Sequence, residues 1–412
     1  MSVLAPSFLF FVCQAGAETV LKAEMARLAP DHRFAFSRRG FLTFKRPPDQ
    51  HADELPDLRP VFAHTWGLSL GRVAGDRAES LARQLWDLVG DRPVEHLHVW
   101  QRQAAAPVRP SATPAVGALA DELAAVIASN RPAGLPILDV NQTALPGQRV
   151  LDCVLVEPNE WWIGWHRAEA GPLCWPGGVF PLALPDHAVS RAYLKMAEAL
   201  AWSQLAIAAG QKLVEIGSSP GGACQAMLDR GLYVTGIDPA DMDPAVLQHP
   251  RFTHVKKRAA DMKRREFRDF DWLAADANTP PLVTLHTVED IVTHASVRVR
   301  GILLTLKLGD WTYASHVPQY LARIRSWGFE RVEARHLSHG AREVCVAATR
   351  EIRAPKRPTA KRRLRRPNRK PRRADSPSSP PTTYQSSAPT TNPTANPTIN
   401  DAGTAIAKVN KT

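Results

Sequence analysis

Between residues 190 and 350 short apolar runs alternate with stretches of helical periodicity, and that alternation leaves few folds open. Strand patterns fall at 213–216, 233–238, 252–255, 272–275 and 302–308, and helical patterns fall at 223–230, 283–299 and 317–327. Gly231 and Gly301 stop the first two of these helices. Successive strands joined by helical crossovers run parallel, and a parallel sheet needs helices on both faces to bury it. The last two strand patterns, 332–337 and 344–348, are too close for a crossover and predict an antiparallel hairpin at one edge, with 344–348 as the edge strand. A helix capped by Ser190 and running to about 209 precedes the sheet, with Leu194, Ala197, Leu200 and Ala201 as its apolar face.

The first half reads as α+β. Strand patterns at 8–12, 41–44, 94–100 and 150–156 alternate with helical patterns at 17–28, 78–89 and 116–128. A Pro- and Ala-rich stretch at 104–114 is a candidate joint between two subdomains of region 1–180. Trp161, Trp162, Trp165 and Trp175 follow; tryptophans so placed either stack on bases or, more commonly, seal a seam between domains. Beyond 352 Pro, Ser, Thr and Asn dominate, so 353–412 is expected to be a disordered tail with too little apolar surface to offset its ordering entropy.

Charge narrows the partners less than its sum suggests. The net +12 equals the contribution of residues 353–373, which hold twelve Lys and Arg and no acid, whereas residues 1–352 carry 38 basic and 38 acidic side chains. The folded part is therefore neutral, and attraction to RNA phosphate is concentrated in the tail. Five cysteines without C-x-x-C spacing indicate neither a disulfide framework nor a zinc site, and a reducing cytoplasm fits. The apolar start lacks the basic residues of a signal peptide, and no run approaches the roughly 20 apolar residues of a membrane-spanning helix. Neither a metal nor a membrane partner is expected, and the oligomeric state is left open.

The turn V-E-I-G-S-S-P-G-G at 214–222 carries the first chemical signal. A strand ending at Gly217 and turning through Ser219, Pro220, Gly221 and Gly222 into a helix lets backbone approach a ligand and aims free N–H groups at it. Ser219 stands where a dinucleotide fold has its second glycine, which disfavours a nicotinamide cofactor. Asp238 ends the second strand, where a carboxylate accepts from ribose hydroxyls, and Asp261, after the third, is placed for an adenine amino group. Singly, each acid reads as a helix cap or a solvated loop residue; their recurrence at successive strand ends favours a site. Lys307 is harder to read as structure, because it interrupts the apolar run 302–308 and a charge in a central strand is costly unless it points into a site. Lys195, on an amphipathic helix, and Glu343, at a strand start, say little alone.

Together S-R-A-Y-L-K at 190–195, S-P-G-G at 219–222, Asp276, L-K-L at 306–308 and R-E-V-C-V at 342–346 resemble the FtsJ-type ribose 2′-O-methyltransferases over residues 185–350. C-Q-A-G-A-E at 13–18 extends a looser likeness to the RNA-binding region, including a THUMP-like module, of bacterial enzymes of this type that methylate a cytidine 2′-hydroxyl of large-subunit (23S) ribosomal RNA. The resemblance implies a Rossmann-like seven-stranded S-adenosylmethionine methyltransferase domain at 185–352 and an α+β THUMP-like RNA-binding region at 1–180. It implies RNA, free or in an assembling ribosomal particle, as the partner. It assigns cofactor contacts to Ser190, Gly217, Ser219, Pro220, Gly221, Gly222, Asp238, Asp261 and Asp276. Catalysis falls to Lys307 as base, Asp276 orienting it, and Lys195 and Glu343 holding the ribose. Two positions depart from the pattern: Glu215 stands where Asp is usual and is expected to reach the methionine ammonium with altered affinity, and Ala223 replaces a frequent aromatic. The basic tail has no counterpart in those enzymes. The alternatives are the same chemistry on tRNA or another RNA, a non-catalytic RNA-binding protein on the same fold, and a nicotinamide-dependent oxidoreductase, for which no hydride-transfer residue is found.

Overall fold

Two glycines, Gly67 and Gly164, explain the layout of the first half. They face the Phe10 ring from neighbouring strands, where an added Cβ would lie 2.9 and 2.4 Å from it. In this computed structural model, which describes residues 7–48, 55–102 and 117–350, those strands belong to an eight-stranded sheet. Its elements are β1 (Phe8–Val12), α1 (Glu18–Leu28), β2 (Arg33–Arg38), β3 (Phe41–Lys45), β4 (Thr65–Ala74), α2 (Ala78–Val89), β5 (His96–Gln101), α3 (Ala118–Ser129), β6 (Asp139–Val140), β7 (Arg149–Glu157) and β8 (Glu160–Arg167). The strand order is β2-β3-β1-β4-β8-β7-β5-β6. Strands β2, β4, β6 and β8 are additions to the sequence reading. Glycines broke the apolar pattern of β4 and β8 because the space they leave belongs to Phe10.

Strands before and after the 104–114 stretch hydrogen-bond directly, β4 to β8 and β5 to β7, so one sheet holds both halves of this region. The stretch itself and the tail at 353–412 lie outside the described residues. Helix α2 covers one face with Leu81, Ala82, Leu85, Trp86 and Val89, the spacing of a single buried stripe. All four tryptophans are packed against protein. Trp161 and Trp165 are buried in the sheet, Trp162 stacks on Phe36 at 5.0 Å, and Trp175 meets Phe180 at 4.9 Å in a cluster that also holds Trp202. Trp175 thus fits the seam reading, Trp161 and Trp165 are sheet core, and Trp162 is half-buried beside Phe36.

The second half comprises α4 (Ala192–Ser203), β9 (Lys212–Ile216), α5 (Gly222–Leu228), β10 (Tyr233–Ile237), α6 (Pro244–Leu247), β11 (Phe252–Val255), β12 (Trp272–Ala275), α7 (Pro281–Val292), β13 (Gly301–Lys307), α8 (Val317–Ser326), β14 (Arg331–Arg335) and β15 (Glu343–Thr349). They form a seven-stranded sheet of order β11-β10-β9-β12-β13-β15-β14. The first five strands are parallel, and β15 runs antiparallel to both its neighbours. Alternate residues face opposite layers: Leu213, Ala274 and Leu303 pack with α4 and α5, while Val214, Ile216, Ile302 and Leu304 pack with α7 and α8. Burying each such aliphatic side chain is worth about 1.5–3 kcal/mol.

Four expectations change. The edge strand is β14, and β15 lies inside it with both sides paired, which buries Glu343 at the start of β15. Helix α4 stops at Ser203 because Gln204 adopts a left-handed backbone at φ 51°. Ser190 does not cap α4: Arg191 occupies the cap position and no side chain bonds there. Helix α7 begins with Pro281, whose missing N–H costs nothing in a first turn, and ends before His294, whose ring accepts the Ser296 amide instead.

The described residues pack as one compact unit, and a single apolar cluster runs from Leu9 and Phe11 of the first sheet to Leu304 and Val346 of the second. The His336 amide donates to the Val61 carbonyl at 2.7 Å and the Arg335 guanidinium to the His64 carbonyl at 2.5 Å, binding the end of β14 to the first half. No described helix is long and apolar enough to cross a membrane.

Candidate active site

Register brings the first two site residues together. In the β13–β15 ladder Lys307 is the direct cross-strand partner of Glu343, and their side chains meet at 2.5 Å. Asp276 follows β12, the parallel neighbour of β13, and its Oδ1 lies 2.7 Å from Lys307 Nζ. Lys195, from α4 above the sheet, closes the arrangement with contacts of 2.5 Å to Asp276 and 3.2 Å to Glu343. Two ammonium groups and two carboxylates thus alternate in a closed ring at the carboxyl end of β13. Their side chains are 9–23% exposed, enough for a substrate to reach them.

The ring sets its own charge state. Burial alone would raise the Asp276 pKa, but Lys195 and Lys307 override it and hold the carboxyl below its ordinary range. Burial alone would lower Lys195, yet the Glu343 and Asp276 carboxylates more than reverse this and push it above the ordinary lysine range. Lys195 is therefore a fixed cation, suited to holding a polar group and unsuited to accepting a proton at neutral pH.

Asp276 also lines a cavity of about 430 Å³, with Gly217, Ser219, Asp238, Asn278 and Thr279 among its other walls. The cavity opens at the carboxyl ends of β9, β10 and β12, where strand order reverses, the usual ligand position in such sheets. Asp238 accepts the Ser219 amide at 3.1 Å and the Ala240 amide at 2.8 Å, so it fixes the loop it faces.

The remaining predicted contacts are placed differently. Gly221 and Gly222 stand behind the cavity wall, where they let chain segments approach each other. A Cβ on Gly221 would lie 2.7 Å from Val246, and one on Gly222 would lie 2.2 Å from Ser190 Oγ. Pro220 is likewise not on the wall, and Ser190 packs behind the loop with its buried Oγ lacking a hydrogen-bond partner among the described residues. Asp261 is exposed and off the wall, because its turn puts Ala259 and Ala260 there. Glu215 is 1% exposed and accepts the Cys224 thiol at 2.8 Å; the carboxyl sits against α5 and does not line the cavity. Lys257, Arg258, Asn278, Thr279 and Thr287 line the cavity and were not singled out from sequence. Position could have found Asn278 and Thr279, since they follow Asp276 beyond the end of β12.

This geometry can be set beside known proteins. The FtsJ-like methyltransferase family profile matches residues 188–308. Over those residues the chain is similar to an FtsJ-like methyltransferase. The match includes Lys195, Asp276 and Lys307 but stops before Glu343, which joins them through the β13–β15 register. Ribosomal RNA large subunit methyltransferase M of Halorhodospira halophila is 30% identical over 179 residues, covering 43% of this chain and 51% of that protein. The protein of the same name from Thauera aminoaromatica is 29% identical over 240 residues, covering 55% of this chain and 60% of its own length. The chain thus spans about two fifths to three fifths of the length of the curated relatives it matches. Among solved structures, TrmN from Thermus thermophilus aligns over 83% of this chain and 99% of its own, with 16% identity and a TM-score of 0.30.

The cofactor of an FtsJ-like methyltransferase domain is S-adenosylmethionine, and the residues fit it. The cavity has ligand size, its polar wall ends in carboxylates, and it meets the reactive ring at Asp276. Gly217, Ser219 and Asp238 line the cavity and would hold the cofactor there. Asp238→Ala should weaken cofactor binding by about 10- to 150-fold, since charge-assisted hydrogen bonds are worth about 1.5–3 kcal/mol. Titration calorimetry would check this, and unchanged affinity would remove Asp238 from the site.

Proposed function

We propose that this protein methylates a ribose 2′-hydroxyl of RNA, with a cytidine of large-subunit ribosomal RNA as the substrate. The observation that carries the reading is that Asp276 belongs both to the cofactor-sized cavity and to the ring of Lys195, Lys307 and Glu343. A hydroxyl placed against the ring is therefore next to the cavity. S-adenosylmethionine supplies an activated methyl group; the chain's residues must align the hydroxyl and take its proton. Lys307 is the proton acceptor, and Asp276 and Glu343, each in contact with its Nζ, orient it. Lys195 is the fixed cation that holds the ribose oxygens.

Residues 1–180 serve as a THUMP-like RNA-binding region and 185–352 as the catalytic domain. The relatives named as large-subunit methyltransferases favour ribosomal RNA over tRNA, and a cytoplasmic site of action follows from that substrate. The basic segment at 353–373 extends contact to RNA phosphate. Deleting 353–412 should reduce the salt dependence of RNA affinity while leaving turnover in place, as filter binding across a salt series would read. An unchanged salt slope would remove the tail from the contact.

The reading is tested by incubating the protein with tritiated S-adenosylmethionine and large-subunit RNA transcribed without modifications, then mapping the label. Label on a cytidine ribose supports it. Label on a base, or on tRNA alone, overturns the assignment.

A further inference from the structure

Helix α4 holds the β14–β15 connection at two successive turns. Lys195 contacts Glu343, and three residues on, along the same face, Glu198 contacts the loop just ahead of Glu343. Glu198 has no exposed surface. One of its oxygens accepts the Ser338 amide at 2.8 Å; the other accepts the His339 amide at 2.9 Å and meets His339 Nδ1 at 2.9 Å. Burial alone would raise this carboxyl, but the imidazole and the two amides outweigh burial and hold it below its ordinary range.

The rest of the loop is equally tied. His336 Nε2 faces the Ala341 carbonyl at 2.7 Å, the Gly340 amide donates to Leu337 at 3.0 Å, and the Leu308 amide donates to Arg342 at 2.9 Å. The last bond joins the residue after Lys307 to the residue before Glu343. A chain reversal needs no buried carboxylate, and such a group is costly unless every lone pair is used. Here three donors converge on it, at the point where the backbone must deliver Glu343 to two lysines.

We infer that Glu198 is a positioning residue for the tetrad, locking the 336–342 loop to α4 so that Lys195 and Glu343 are set together against Lys307. Glu198 touches neither the cavity wall nor the ring, and it acts through backbone amides. The inference deepens the proposed methyl transfer and rests on it for its kinetic consequence.

Glu198→Gln keeps the volume but turns an NH2 group toward one of three donors. It should lower kcat by about 10- to 100-fold, the cost of a displacement near 1 Å, with cofactor affinity and RNA KM unchanged. A crystal structure of the variant should show Glu343 drawn away from Lys195. His339→Gln, which leaves both amide bonds in place, should show a smaller loss in the same direction and serves as the probe if Glu198→Gln does not fold. A lowered melting temperature with wild-type kcat per cofactor-binding molecule and Glu343 unmoved would overturn the assignment. If the wild type methylates no RNA, the functional reading fails, and the crystal structure still decides positioning: a displaced Glu343 supports it and an unmoved one overturns it.

Discussion

Replacing Lys307 with Ala is expected to lower methyl transfer by about 10²- to 10⁴-fold, the usual worth of a positioned acid or base, while cofactor binding stays nearly intact. The cofactor cavity is walled by Asp276 and not by Lys307, so the pocket survives the truncation. Lys195 still contacts both carboxylates after the change, so neither acid is left as an unpaired buried charge. Lys307→Arg separates proton transfer from charge. A guanidinium supplies the cation and the hydrogen bonds, but it cannot give up its proton in a protein. If Lys307 is the proton acceptor, Arg should be nearly as inactive as Ala. Single-turnover transfer to RNA would measure both, and an Arg variant near the wild-type rate would defeat the mechanism.

The second large effect concerns Glu215, whose pKa burial drives from 4.5 to about 8, against the partial relief of the Cys224 hydrogen bond. The folded protein holds this carboxyl protonated through neutral pH, whereas the unfolded chain releases the proton above its ordinary value. The contribution of Glu215 is fully present below about pH 4.5 and is lost progressively as pH rises toward about 8. A displacement of this size is worth several kcal/mol. Glu215→Gln keeps the shape and removes the titration, so its stability relative to wild type should rise across that interval. Urea midpoints from about pH 5 to about pH 9 would measure the difference, and parallel curves would show that Glu215 is not the buried acid described.

How far the sequence could be read depended on whether a residue conflicts with its local pattern. Lys307 was legible because a charge inside an apolar strand demands an explanation. Asp276, a lone acid after a strand, and Glu343, a polar strand start, carried no local conflict, so only the family resemblance found them. Gly221 and Gly222 were visible as a turn, but glycine signals close approach without saying what approaches, and in the fold Ser190 and Val246 do. Asp261 lies exposed and off the cavity wall, because strand ends predict the side of a sheet and not the direction of one carboxyl on a turn. Glu198 was invisible, since an acid on a helix reads as a solvated face until the loop that covers it is known.

Local physics decided the elements: the spacing of apolar residues set nearly all helices and the parallel strands, and the short final connection required an antiparallel return. Only the tertiary structure decided that β15 enters between β13 and β14, because pairing along a strand depends on which neighbour is available and no local pattern records that. That choice puts Glu343 opposite Lys307 and lets the cation from α4 close the ring. Strand order and register are long-range properties, and the chemistry of this site is built from them.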